Sequence, residues 1–245
     1  MLEILRNNGY ETEVALVPTT HAEKDKATYG TSDDITFVRH AVEKQLSRGK
    51  NVVLVGHSYG AIPAMASCTG LDKVSRQAAS EASSVIGVAC IPGAIPPPGF
   101  ALVNMFGGNY PPFYQVQDDL SMPTAGKGPL HLFYNDVAED IARDHVRLFK
   151  SQSIKVPKDK SPDVLTPCTQ IPIGYIICTK DNAQNPTIQA SMVKTMAAKG
   201  LTVYAEEADS GHSVFISRAD ETARFIRKIA GETGIVTGFQ AHKPQ

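Results

Sequence analysis

Residues Gly56-His57-Ser58-Tyr59-Gly60 set a serine between two glycines. Just before them Asn51 to Val55 is a short valine-rich run, and just after them Ala61 to Thr69 is a run of small residues. A strand that passes straight into a helix forces the intervening serine into a sharp turn and lifts its hydroxyl above the sheet edge. The flanking positions must then be glycine, because side chains there would strike the neighbouring strand and helix. A serine hydroxyl is a weak nucleophile near neutral pH, so it needs a base, and a third group must hold that base in one tautomer. The competing interpretation is a glycine-rich turn whose hydroxyl only caps the helix.

Of the seven histidines, His212 is placed to be that base. It lies in Asp209-Ser210-Gly211-His212, directly after the last strand-like run of the alternating region. His57 adjoins Ser58 and is expected to turn away into packing; His21 and His40 precede the serine, His131 and His145 fall in a different kind of segment, and His242 is in the tail. For the acid, Asp181 follows the run Ile173 to Cys178 by three residues and would emerge at the same sheet edge. Asp209 and Asp163 are the rival carboxylates, and Asn182 cannot balance an imidazolium. Tyr59, next to the serine, would offer its N–H to a developing oxyanion.

Positioning these residues takes a parallel sheet covered on both faces, and strand-like and helix-like runs do alternate along the chain. Glu13 to Val17 reads as a strand ended by Pro18. A helix over about 33 to 48 follows, opened by Thr31-Ser32-Asp33-Asp34, striped with Val38, Val42 and Leu46, and stopped by Gly49. Asn51 to Val55 is expected to be a buried central strand. Ser84 to Cys90, Ile173 to Cys178 and Thr202 to Ala205 are further strands, with helices opening at Pro186 and running from about Arg218 to Ala230. From about 97 to 167 the pattern breaks: prolines punctuate, aromatics such as Phe113, Tyr114, Phe133 and Tyr134 cluster, and Val137 to Phe149 is the clear helical pattern. We take 97–167 as a cap inserted into a single domain spanning 1–245, with a loose tail after Gly231.

Composition limits the partners. The 245 residues are 42% apolar and 20% charged, with 24 Lys+Arg against 25 Asp+Glu and a formal net charge of -1. No segment concentrates one sign enough to grip nucleic acid or lipid headgroups, so the expected partner is a small molecule, with oligomeric state left open. The longest uncharged stretch, Ala82 to Gln117, is broken by prolines and glycines and is not expected to span a membrane. Four cysteines without a Cys-x-x-Cys pair, and no leader-like start, fit a cytoplasmic setting. No metal-ligand spacing is visible, and no cofactor is called for.

Four segments together carry a resemblance: Val53 to Gly60, Leu132-Phe133-Tyr134-Asn135-Asp136, Tyr175 to Ala183, and Ser210 to Ser217. They are similar to the α/β-hydrolase subgroup of plant methylesterases, hydroxynitrile lyases and many fungal and bacterial esterases, over about Gly9 to Ala230. The resemblance implies the α/β-hydrolase fold, a mostly parallel sheet flanked by helices with an inserted cap. It also implies the chain order Ser58 nucleophile, Asp181 acid, His212 base. Two departures matter. The lyases carry a lysine after the histidine where this chain has Ser213, which disfavours cyanohydrin cleavage. The family's opening strand and oxyanion loop, expected upstream of the helix whose end Met1 to Asn8 resembles, have no counterpart; in the sheet that strand would lie between Glu13–Val17 and Asn51–Val55, so the N-terminal strand is missing and we expect a truncated form. Either the two flanking strands then pair directly, or backbone groups go unpaired. One oxyanion donor goes too, which costs about 3–4 kcal/mol, or roughly 10²–10³ in rate. The expected activity is hydrolysis of a small carboxylic ester or lactone through an acyl-enzyme, with a lyase or cyclase, or a weakened ligand-binding protein, as the alternatives.

Overall fold

The computed structural model describes residues 1–110, 114–122 and 128–243. Its strands in chain order are β1 Val52–Ser58, β2 Val85–Gly93, β3 Gln115–Gln117, β4 Leu120–Met122, β5 Gln152–Ser153, β6 Ile173–Cys178, β7 Val203–Ala208 and β8 Gln240–His242. The main sheet has the order β1-β2-β6-β7-β8. β1, β2, β6 and β7 run parallel and β8 antiparallel to β7. β3, β4 and β5 form a separate small antiparallel sheet within the 97–167 region.

Each strand of the parallel core feeds both faces. In β6, Tyr175 and Ile177 join the core with Val38, Val42, Ile62, Met65, Val193 and Met196, while Ile176 and Cys178 join Leu5, Val214, Ala223, Phe225 and Ile226. That alternation follows from the period of two along a strand. The helix Thr31–Leu46 forms because Val38, Val42 and Leu46 recur every four residues on its buried side and because the Asp33 carboxylate accepts from Gly30 N–H at 2.7 Å, satisfying an otherwise orphaned donor. Gly49, at φ +75°, ends the run.

Two expectations fail together. Glu13 to Val17 forms no strand, with Val14 and Leu16 56% and 51% exposed. β1 is not a buried central strand either: it is the edge of the main sheet, and Val55 is 39% exposed. The two segments do not pair with each other. A trough of about 1690 Å³ runs along β1 beside residues 9–17, reaching from Arg48 and Lys50 at one end to His57, Tyr59 and His145 at the other. Each segment needs a neighbour to form a ladder, and among the described residues no strand lies between them.

Other differences are local. The tail is not loose: β8 pairs with β7, and Thr237 Oγ1 donates to Glu206 Oε2 at 2.5 Å. Within the expected helical pattern Val137 to Phe149 the helix is Glu139–Arg147, and Leu148, just beyond it, is 74% exposed; Ala142 is its buried position. Phe113 lies outside the described residues. Among the described residues no helix is long and apolar enough to cross a membrane.

Candidate active site

Ser58 ends β1 with φ +52°. A non-glycine residue in the left-handed region costs about 1–2 kcal/mol, and here the surroundings impose it. A Cβ on Gly56 would lie 2.5 Å from Ala61 Cα, one on Gly60 3.0 Å from His57 O, and one on Gly93 2.6 Å from Ala61 Cβ. The helix Ala61–Ala66 is thus backed directly against β1 and β2, and the chain between them has no room for a wider turn. Ser58 C=O accepts from Ala94 N–H at 2.9 Å, which pins the turn to the end of β2. Its hydroxyl bonds no described residue and is available.

Asp181 and His212 meet. His212 Nδ1 lies 2.8 Å from Asp181 Oδ2, and both side chains are almost wholly buried. Asp181 Oδ1 accepts from the N–H groups of Ala183 and Gln184, each at 2.8 Å, and Oδ2 also accepts from Gln189 Nε2 at 2.9 Å. Four donors, with His212 Nδ1 among them, converge on this one carboxylate. An Nδ1 proton directed at Asp181 leaves Nε2 as the basic nitrogen of His212. Main-chain bonds from Thr179 N–H to Ala208 O and from Lys180 N–H to Ser210 O join the loops that carry the pair. The rival acids are engaged elsewhere: Asp209 pairs with Lys180 at the surface, and Asp163 caps Leu165 and Thr166.

His57 does not turn away from the site. Its ring lies 4.6 Å from that of His212 and 4.8 Å edge-on to Phe215, and its Nε2 is 3.1 Å from His212 O. It therefore ties the turn of Ser58 to the loop of His212. Burial, then the neighbouring His212 imidazole, push His57 well below the usual histidine range, so it stays neutral as a donor to that carbonyl. Tyr59 is anchored from its far end: its hydroxyl donates to Asp34 Oδ2 at 2.8 Å, beside Thr19 Oγ1 at 2.6 Å. Burial raises the Asp34 carboxyl in spite of these bonds. The N–H of Tyr59 donates to no described residue.

Two supports went unnoticed in the sequence. Gln189, wholly buried, donates to Asp181 and accepts from Cys178 N–H at 2.9 Å, so it ties the acid to the end of β6. Nothing about a single glutamine on a helix marks it. Asn135 and Asp136 were visible only as part of a motif. Asn135 Nδ2 donates to Lys180 O at 2.9 Å and Asp136 Oδ2 accepts from Ser210 Oγ at 2.6 Å. The pair thereby braces the loops bearing Asp181 and His212 from the side of the 97–167 region, where Phe133 also lies 5.6 Å from the His212 ring.

Comparison with known proteins bears on the family and the fold. The family described as "Alpha/beta hydrolase family" matches residues 6–225. "Probable hydrolase R7" of Phoma sp. is 25% identical over 235 residues, covering 93% of this chain and 89% of that protein. "Alpha/beta hydrolase nvfD" of Aspergillus novofumigatus is 25% identical over 226 residues, covering 91% and 86%. Among solved structures, polyneuridine aldehyde esterase superposes with a TM-score of 0.68 at 13% identity, over 94% of this chain and 91% of that one.

Proposed function

We propose, from the premise that this chain belongs to the alpha/beta hydrolase family, that it hydrolyses a small carboxylic ester or lactone through an acyl-enzyme. The observation that carries the proposal is the buried His212–Asp181 pair held by His57 against the turn of Ser58. That two fungal relatives are named hydrolases and a structural relative an esterase supports the same class.

Ser58 Oγ attacks the ester carbonyl while His212 Nε2 takes the hydroxyl proton. Asp181 holds the imidazole by Nδ1 and balances the imidazolium that forms. The N–H of Tyr59 donates to the oxyanion, so the developing charge meets a donor already in place. Collapse of the tetrahedral adduct breaks the bond to the alcohol oxygen, which leaves with the proton from His212. Water then gives a proton to His212 and its oxygen to the acyl carbon, and the acid departs as Ser58 regains its proton.

Mass spectrometry after exposure to a fluorophosphonate tests this directly. We expect one phosphonyl adduct, on Ser58. The Ser58→Ala variant should take no label and lose about 10⁶ of its turnover of a short-chain ester. Turnover that survives Ser58→Ala, or that proceeds while Ser58 resists labelling, would rule out the acyl-enzyme and point to His212 acting alone as a base.

A further inference from the structure

Asp34 is a wholly buried carboxyl group that the proposed reaction does not use. Its Oδ1 accepts from Thr19 N–H at 3.0 Å, and its Oδ2 from Thr19 Oγ1 at 2.6 Å and from the Tyr59 hydroxyl at 2.8 Å. Burial, joined by the neighbouring Asp33 carboxylate, raises it above the usual aspartate value in spite of those bonds, and no cation offsets the rise among the described residues. An acid kept in the interior without a counter-ion is costly, and groups held in this way concentrate at functional sites. The bonds from Thr19 fasten the short helix Pro18–His21 to the helix Thr31–Leu46. The bond from Tyr59 reaches a different element, the turn that carries Ser58.

What that bond does follows from the peptide joining Ser58 to Tyr59. The peptide is planar and trans, so the Tyr59 N–H points opposite the Ser58 C=O. At one end of the plane, Ser58 C=O is held by Ala94 N–H at 2.9 Å. At the other end lies the Tyr59 Cα, whose onward chain is fixed where Tyr59 C=O accepts from Ile62 N–H at 2.9 Å. The side chain is the remaining branch from that Cα. With its ring packed on the core and its hydroxyl on Asp34, it leaves the Cα little freedom to pivot. Ser58 holds φ +52°, a costly conformation for a residue with a side chain, so a loosened Tyr59 would let the turn relax and its N–H swing.

We propose that Asp34 is a positioning residue for the oxyanion donor: through the Tyr59 hydroxyl it holds the Ser58–Tyr59 peptide with its N–H aimed at the carbonyl oxygen on which charge develops. The proposal rests on the acyl-enzyme reading above.

Hydrolysis of a short-chain ester and of its thionoester, in which sulfur replaces the carbonyl oxygen, tests this in Tyr59→Phe. Sulfur accepts hydrogen bonds weakly, so a well-aimed donor favours the ester, whereas lost stability or a fault in the relay of Ser58, His212 and Asp181 slows both substrates alike. Losing an oxyanion donor outright costs about 10²–10³ in kcat. For a misaimed one we expect kcat on the ester to fall about tenfold with KM little changed, and the ester-to-thionoester ratio to fall with it. Asp34→Ala should lower that ratio by a like factor, and in the double variant the second change should add less than about twofold, since both act through one bond. Should Asp34→Ala fail to fold, Tyr59→Phe decides alone, because it leaves the bonds from Thr19 to Asp34 in place. A ratio unchanged in Tyr59→Phe would overturn the inference and leave the acyl-enzyme standing, as would losses that multiply in the double variant. A parent protein whose Ser58 takes no fluorophosphonate would sink both.

Discussion

At the level of single residues, the proposed reaction depends on how firmly Asp181 is held, and Gln189 holds it while bonding Cys178 N–H. Its amide faces two buried partners at once, the Asp181 carboxylate and Cys178 N–H. Gln189→Leu strips a donor from the acid and leaves the Cys178 N–H unsatisfied, a loss of about 1–3 kcal/mol in stability. We expect kcat to fall about tenfold with KM little changed, because His212 would be less well oriented while the substrate surface is untouched. Steady-state kinetics check this, and a change confined to KM would contradict it. Asp136 gives a pH signature. Burial pushes its carboxyl up, but bonds from Ser210, from Gly211 N–H and from Ser217 outweigh that and hold it below the usual aspartate value. A depressed acid contributes stability above its unfolded value and loses it as pH falls through the folded one. Asp136→Asn should therefore be less stable than the parent at pH 7, with the gap closing below about pH 3.8, as read from urea denaturation at pH 7 and pH 3. The meeting of Asp181 with His212 was legible because each follows a strand-like run by a few residues, as Ser58 ends one. Gln189 was not, because only folding reveals that a helix residue reaches back beneath the acid.

Among the elements, the join between β1 and the helix Ala61–Ala66 governs the site, and its glycines are not equivalent. The Cβ of Gly56→Ala would meet backbone, Ala61 Cα at 2.5 Å, whereas that of Gly174→Ala would meet side-chain ends, Ile229 Cγ1 at 2.5 Å and Phe225 Cε1 at 2.9 Å. Backbone cannot turn aside. Both substitutions should cost about 1–3 kcal/mol as overpacking, measured by thermal unfolding, but only Gly56→Ala should also slow fluorophosphonate labelling of Ser58, by tenfold or more. Equal labelling rates in the two variants would show that the turn tolerates displacement. Ile173 to Cys178 was readable residue for residue because a run buried on both faces shows as unbroken apolar sequence. Glu13 to Val17 and the centrality of β1 were misread for a shared reason. Propensity describes a segment, while strand formation needs a partner, and the partner between them is lacking among the described residues. The tail deceived in the opposite way, since Gln240–His242 has little apolar character yet finds a free edge on β7.

For the molecule as a whole, the two edges of the main sheet are treated differently, and this asymmetry determines how it can associate. The β1 edge lies recessed behind residues 11–17. The β7 edge is clasped by the tail, through β8 and through Glu206, a buried carboxylate that accepts from Thr237 Oγ1 at 2.5 Å and pairs with Lys228 Nζ at 2.7 Å. Glu232 lies outside that clasp: it accepts from Tyr10 and pairs with Arg227, tying the start of the tail to the N-terminal segment. Removing residues 233–245 would thus leave the N-terminal tie intact while exposing β7 as a full-length, unrecessed edge and depriving Glu206 of one partner. Such an edge pairs readily with its like. We expect the shortened protein to associate in light scattering at concentrations where the parent scatters as a single small species, and to unfold at lower temperature. Thr237→Val separates the causes, because it removes the hydroxyl bond to Glu206 without taking away β8. It should lower stability by about 1–3 kcal/mol with no gain in scattering. If both variants associated alike, the buried carboxylate rather than the bared edge would be what the tail protects.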